Sequence, residues 1–296
     1  MLQHTNKNPT PPERTVIMGA GGFVGAAIVR RLRNRNLPVL PLGRHEIDLL
    51  QTSAGAKLAG LLQSTDSFVA VSALAPVKTP DMLRNNITMI EAMVEALCSR
   101  PVAHVLNIGS DAVFADSSTP LTEESGRTPN SLHGIMHLAR EVMLADAVGA
   151  APFATLRPTL IYGADDPHNG YGPNRFRRLA AAGEEIALFG EGEERRDHVW
   201  VEDVAELAVR ILLHRSQGSL NAATGTAISF REAAEAVASH FPAAPKIRFV
   251  PRQGPMPHNG YRPFNPAATR TAFPDFKYTL PRDGFAKVHA QTVEAA

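Results

Sequence analysis

Thr15-Val16-Ile17-Met18-Gly19-Ala20-Gly21-Gly22-Phe23-Val24-Gly25 is a short apolar run that opens into four glycines within seven residues. The run Thr15–Met18 reads as a strand, and residues 22–35 read as a helix. Glycines between the two let the backbone turn tightly and approach a pyrophosphate, whose charge then rests on the helix N-terminus. Gly19, Gly22 and Gly25 follow a G-x-x-G-x-x-G spacing rather than G-x-G-x-x-G. Alone, such a loop is a weak signal, since a plain tight turn needs glycines too. After the first strand of a β-α-β series it reads as a dinucleotide cradle. Its contacts are then Gly19, Gly21, Gly22, Phe23, Val24 and Gly25.

Outward from this loop, strand-length apolar runs alternate with helix-length segments. Strands are expected at 38–42, 68–73, 104–108 and 153–156, and helices at 54–63, 82–99 and 132–148. The run at 68–73 is continuously apolar, as a strand buried on both faces requires. Repeated β-α-β units give the fold class: α/β, a doubly wound parallel sheet of the Rossmann type. After Ile161 the texture changes. Residues 163–174 are rich in Gly, Pro, Asn and Asp and too long for an ordinary connector, which suits a substrate lid or a solvated insertion. The chain therefore divides into a mobile tail over 1–14, a dinucleotide-binding domain over 15–160, and a smaller mixed α/β substrate subdomain. That last part is mainly 161–296 and is interleaved with the first.

Composition narrows the function. The 296 residues carry 30 basic and 29 acidic side chains, a formal net charge of +1, which argues against a protein built to hold nucleic acid. The one cysteine, Cys98, cannot form an internal disulfide and reads as buried and inert, so a reducing compartment fits. No apolar run reaches the length of a membrane span, and residues 1–14 lack the apolar core of a signal peptide. A cytoplasmic enzyme or binding protein is expected, with no membrane and no nucleic-acid partner.

Arg44 stands nineteen positions after Gly25, at the end of the second strand. An acidic residue here would hold the ribose 2′-hydroxyl of NAD, whereas arginine accommodates a 2′-phosphate. The cofactor expectation is thus NAD(P), with NADP favoured by Arg44. The bland alternative is a solvated arginine. Arg30, Arg31, Arg33 and Arg35 read mostly as the wet face of the first helix.

Ser110-Asp111-Ala112-Val113-Phe114 after a later strand, Arg157-Pro158, and the glycine loop together resemble the extended short-chain dehydrogenases/reductases. More narrowly they resemble the NAD-dependent epimerase/dehydratase branch, which acts largely on nucleotide-activated sugars. The resemblance runs from about Thr15 to Gly284. It implies an adenine-side role for Asp48, cofactor contacts from Ala73, Leu74, Ala75, Asn86, Arg157 and Pro158, and a catalytic hydroxyl at Ser110. It implies a substrate diphosphate on Arg196, in Arg196-Asp197-His198-Val199 with Asp203 beyond. Asn174 of the polar loop is a further substrate-side candidate, as are Arg175 and Arg252, since guanidinium groups suit bidentate phosphate contact. A homodimer through helices near 84–99 and 132–148 is implied as well. Asp111 reads either as a proton donor or as a strand-end hydrogen bonder.

One motif departs from the family. Where Tyr-x-x-x-Lys is expected, the sequence has His133-Gly134-Ile135-Met136-His137, with Ser131 and Glu141 keeping the frame. Lysine in that motif lowers the tyrosine pKa from about 10; an imidazole near 6.5 needs no such help and can exchange the proton itself. His137 can still hydrogen-bond the nicotinamide ribose, without the lysine's fixed charge. The pair is four residues apart on one helical face, but no third ligand is near, so no metal is expected. Two functions follow: an NAD(P)-dependent oxidoreductase or epimerase at a carbinol or ketone carbon of an activated sugar, or a non-catalytic dinucleotide sensor.

Overall fold

The computed structural model describes residues 1–294. The chain runs through β1 (Thr15–Met18), α1 (Phe23–Asn34), β2 (Val39–Leu42), α2 (Ala54–Leu61), β3 (Ser67–Ala70), α3 (Pro80–Ser99), β4 (His104–Ile108), α4 (Leu132–Ala147) and β5 (Phe153–Pro158). It continues through β6 (Leu160–Tyr162), α5 (Pro173–Ala181), β7 (Ile186–Phe189), β8 (Arg195–Trp200), α6 (Val201–Leu213) and β9 (Gly218–Ala222). The last elements are β10 (Ala227–Ser229), α7 (Phe230–Ala238), β11 (Ile247–Val250), β12 (Tyr261–Arg262), α8 (Ala267–Ala272) and α9 (Pro281–Glu294).

Six strands form one all-parallel sheet in the order β2-β1-β3-β4-β5-β9. β1, β3 and β4 are buried at every position, because helices cover both faces. Ile28 and Leu32 of α1 meet Val204 and Leu207 of α6 over one face. Leu58 of α2, Met93 of α3 and Leu144 of α4 close the other. The winding changes direction between β1 and β3, and their carboxyl ends part there to leave a crevice, the place where such sheets take ligands. Residues 43–53 form turns and bends rather than a further strand, so β2 is an edge strand, with Pro41 in its middle.

The second half builds a lobe over those carboxyl ends. β8 is its spine, with β10 antiparallel to it and β6 and β12 parallel to it, while β7 pairs with β11. Phe176, Ile186, Leu188, Phe230 and Phe285 form its core. Between β8 and β10 the chain returns through α6 and β9 to the main sheet, so the lobe is not contiguous in sequence.

Two expectations are corrected here. Residues 1–14 are docked: Gln3 exchanges backbone hydrogen bonds with Gln217 at 2.8 Å, and the His4 ring reaches Ser216 Oγ and the Ala272 carbonyl. Arg14 grips Asp66 through two guanidinium nitrogens at 2.8 and 2.7 Å. The prolines exclude helix but not an extended segment laid along a sheet edge. Cys98 is exposed rather than buried, because it falls on the outer side of the last turn of α3.

Candidate active site

The glycine loop closes on itself. Gly19 has φ +102°, and a Cβ there would meet the Ser72 amide nitrogen at 2.6 Å. A Cβ at Gly25 would stand 2.1 Å from the Gly19 carbonyl oxygen, so only glycine lets α1 start this close to β1. Gly21 faces open space. Gly22 caps α1 without a side-chain hydrogen bond, which leaves the first amides of the helix for a ligand. Gly19, Gly21, Gly22, Phe23 and Val24 line a cleft of about 1580 Å³, while Gly25 supports it from behind. A pyrophosphate fits this cradle.

At the outer end of the cleft, Arg44 is largely exposed and touches Asp48 only at 3.5 Å. Asp48 Oδ1 accepts from the Leu50 amide at 3.2 Å, and Glu46 accepts from the Gly43 amide at 2.7 Å. These backbone bonds hold both carboxyls below their usual range. Arg33 and His45 line the same end, so Arg33 is not merely the wet face of α1.

Along the inner wall run Ser72, Ala73, Leu74, Ala75 and Pro76, after β3. Two expected contacts act from behind this wall. Asn86 is buried on α3, takes the Leu74 amide at 2.9 Å and returns a bond to the Leu74 carbonyl at 3.0 Å. Arg157 is buried in a bidentate pair with Glu141, both bonds 2.8 Å, and Pro158 beside it faces the cleft. Asn86 and Arg157 therefore shape the wall and do not line it.

Ser110, Asp111, His133 and His137 all line the cleft. Ser110 sits past the end of β4, and its Oγ accepts from the Ala112 amide at 3.1 Å. Ser131 caps α4 by accepting from the Gly134 amide, which fixes where the helix starts and aims the next turns. Gly134 is required there: a Cβ would stand 2.2 Å from the Ala112 carbonyl oxygen. The close approach brings His133 beside the Ser110 turn. Burial pushes His133 below its ordinary value; the Asp111 carboxylate partly opposes this and His168 adds to it. His137 is deeper, and burial, with His133 and Arg140 nearby, drives it well below. Of the two roles open to Asp111, the structure displays a hydrogen-bonding one. Its Oδ2 accepts from Arg262 Nε at 2.9 Å, and its carbonyl from Nη2 at 2.7 Å.

The lobe supplies the opposite wall. Arg196 and His198 of β8, His258, Arg262, and the segment from Asp166 to Asn174 line it. Asn174 accepts from the Gly163 amide at 3.2 Å and donates to Asp166 at 2.8 Å, so it ties the loop to α5 as well as facing the cleft. Asp197 is turned away from the cleft and gathers Thr159, Thr224 and Gly225. Two candidates are corrected. Arg175 is exposed on α5, one residue past Asn174 and so on another side of the helix. Arg252 lies outside the cleft, 3.5 Å from Glu194, which also holds Arg196 at 3.4 Å. His258 and Arg262 were missed from the sequence. Their signal was the turn-rich run His258-Asn259-Gly260-Tyr261-Arg262, in which His258 takes a φ of +52°. Among the described residues no cluster of metal-ligating side chains occurs.

The sequence model of the NAD dependent epimerase/dehydratase family matches residues 15–223, from the first strand through the last strand of the main sheet. The chain belongs to this family. A curated relative, the dTDP-4-dehydro-6-deoxy-D-allose reductase of Streptomyces bikiniensis, is 28% identical over 278 residues, spanning 80% of this chain and 84% of that one. A structure of MoeE5 in complex with UDP-glucose and NAD superposes with a TM-score of 0.82 at 22% identity, covering 95% of this chain and 99% of that one. A GDP-L-fucose synthetase from Naegleria fowleri bound to NADP gives 0.82 at 15% identity, with 99% and 98% covered. As an epimerase/dehydratase family member the chain is an NAD(P)-dependent enzyme of the extended short-chain dehydrogenase type, and the cleft from Gly19 to Pro76 is where its dinucleotide fits.

Proposed function

We propose that this enzyme oxidises or reduces a carbinol or ketone carbon of a nucleotide-activated sugar, with His133 as the proton-exchange group and NADP as the preferred cofactor. The observation that carries the reading is the meeting of Ser110, His133 and His137 with the glycine loop on one wall and Arg196 on the other. When bound, the cofactor supplies hydride transfer at its nicotinamide; the remaining work falls to the protein. Ser110 Oγ donates to the reacting oxygen and fixes its position. His133 takes the carbinol proton during oxidation and returns it during reduction. The Val77 amide approaches its Nδ1 only at 3.5 Å, too long to fix the tautomer, and Nε2, which has no hydrogen-bond partner among the described residues, is open to the substrate. His137, uncharged, holds the nicotinamide ribose. Arg44, joined by Arg33, supplies the cations for a 2′-phosphate. Arg196 takes a substrate diphosphate, since Glu194 restrains it only weakly at 3.4 Å. The exposed Ile135 and Val142 on α4 support a homodimer through α3 and α4.

The test is binding of nucleotide diphosphates to the cofactor-loaded protein by calorimetry. Arg196→Ala is expected to weaken them by about 2 kcal/mol, the scale of a charge-assisted contact. No binding, or binding unchanged by the substitution, would move the substrate to a molecule without a diphosphate.

A further inference from the structure

α4 carries His133, half-buried, and His137 and Arg140, both buried, along one face at spacings of four and three residues, with the buried Glu141 beside them. The arginine is anomalous. Arg140 is 1% exposed and pairs with no carboxylate among the described residues. Its Nη1 donates to the Ser72 carbonyl at 2.8 Å, while Nε and Nη2 have no partner. By contrast, the other buried arginines, Arg157 and Arg262, are each paired with a carboxylate. A buried cation without a counterion is expensive to keep. Burial lowers Arg140 only to about 10, so it stays charged at neutral pH. Beside it, His137 Nδ1 is also buried without a partner.

The position is informative. At 137 the motif lysine, and with it a fixed positive charge, is missing. One helical turn further along the same face stands a permanent cation. Ser72, which it holds, donates its amide to the Met18 carbonyl and lies against Gly19. Arg140 thus links the catalytic helix to the inner wall of the cofactor cleft.

We propose that Arg140 is a positioning residue that replaces the charge of the absent motif lysine: its guanidinium, paired with no carboxylate, adds to burial in holding His137 uncharged and sets a fixed positive potential beneath the nicotinamide end of the cleft. The inference rests on the reading of His133 and His137 as the motif positions, but not on the substrate. An uncharged His137 remains able to accept a hydrogen bond at one ring nitrogen, which a doubly protonated ring cannot. The charged groups facing this pair are Arg140 on α4 itself, Asp111 from the turn after β4, and His168 from the loop before α5.

Two measurements without any sugar substrate test it. Histidine ring NMR titration of the cofactor-free protein is expected to show His137 and His133 gaining at least threefold in proton affinity in Arg140→Gln, and no change in Arg140→Lys. Calorimetry is expected to show the affinity ratio of oxidised to reduced cofactor rising at least threefold in Arg140→Gln, because the oxidised ring is cationic. If Arg140→Gln does not fold, Arg140→Lys carries the test. A buried ammonium loses its proton on mild alkalinisation, so the ratio should then rise with pH in that variant and stay flat in the wild type. A folded Arg140→Gln with unchanged titrations and ratio, or a pH-independent ratio in Arg140→Lys, would reduce Arg140 to a clamp on Ser72. Failure of hydride transfer with every sugar nucleotide would overturn the proposed reaction and leave these readouts intact.

Discussion

His133 and His137 stand edge to face on α4, ring centroids 4.7 Å apart and planes at 87°. One imidazolium would repel a second at this range, so the pair cannot hold two protons at ordinary pH. The deeper ring is the one pushed further toward the neutral form, and in the proposed reaction the outer ring exchanges the proton.

That division fixes a pH dependence. His133 is held below its ordinary value by burial, so it is neutral above that lowered value. Oxidation needs the neutral ring and should fail only as pH falls through that lowered value, below the ordinary imidazole range, whereas reduction needs the imidazolium and should weaken as pH rises through it. His133→Ala should lose about 10²–10⁴-fold in single-turnover rate while still binding cofactor. Limbs near the tyrosine range, or an unchanged rate, would remove His133 from the chemistry.

Cofactor choice should respond to the outer end of the cleft. Arg44→Ala is expected to weaken NADPH by roughly 1.5–3 kcal/mol and leave NADH nearly unchanged, with Arg33→Ala acting in the same direction. Titration calorimetry of both cofactors reads this directly. Equal losses for the two would mean that neither arginine senses the 2′-phosphate.

Behind the active site, Glu141 and Arg157 are both about 3–4% exposed in their side chains and bonded twice at 2.8 Å. Removing Glu141 leaves Arg157 buried and unpaired, and removing Arg157 leaves Glu141 buried with only Arg127, at 3.1 Å, each at a cost of about 3–5 kcal/mol. Glu141→Gln and Arg157→Met should each lower stability by that order in denaturant unfolding. The double substitution should cost clearly less than their sum.

A buried histidine of β4 gives a stability test free of the active site. His104 is fully buried, its Nε2 donating to the Ser216 carbonyl at 2.8 Å, and burial pushes it down to about 4. The unfolded chain therefore takes up a proton here below about 6.5, and the folded chain does not until near 4. Its contribution is fully present above the unfolded value and is lost as pH falls toward the folded one. The stability gap between wild type and His104→Leu should shrink by about 2 kcal/mol between about pH 7 and pH 5. A gap independent of pH would show that His104 titrates alike in both states.

Sequence periodicity located the main sheet well because β1, β3 and β4 are buried on both faces and must be continuously apolar. The glycine loop and the turn at Ser110 were legible for a similar reason: each demands particular residues at fixed spacing. What escaped was tertiary. That Asn86 and Arg157 work from behind the wall depends on partners 12 and 16 residues away, Leu74 and Glu141. Arg262 reaches Asp111 across 151 residues, which no local pattern encodes. The docking of residues 1–14 was hidden because Gln3 and Thr10 bond Gln217 and the Leu213 carbonyl through backbone, which carries no side-chain signature, and because His4 and Arg14 meet partners 212 and 52 residues away.

Both margins of the main sheet resist templating by a neighbour. At one margin Pro41 removes a donor from β2, the strand left outermost by the turns at 43–53. At the other, the segment from Met1 to Gln3 covers the start of β9, with the Met1 carbonyl so near Gly218 that a Cβ would stand 2.4 Å from it. Strand-to-strand accretion into fibres or open-ended polymers is thereby disfavoured at both ends of the ladder. Self-association is then left to helical faces, whose contacts can close on themselves, and a variant that strips residues 1–3 from β9 should be the first to aggregate.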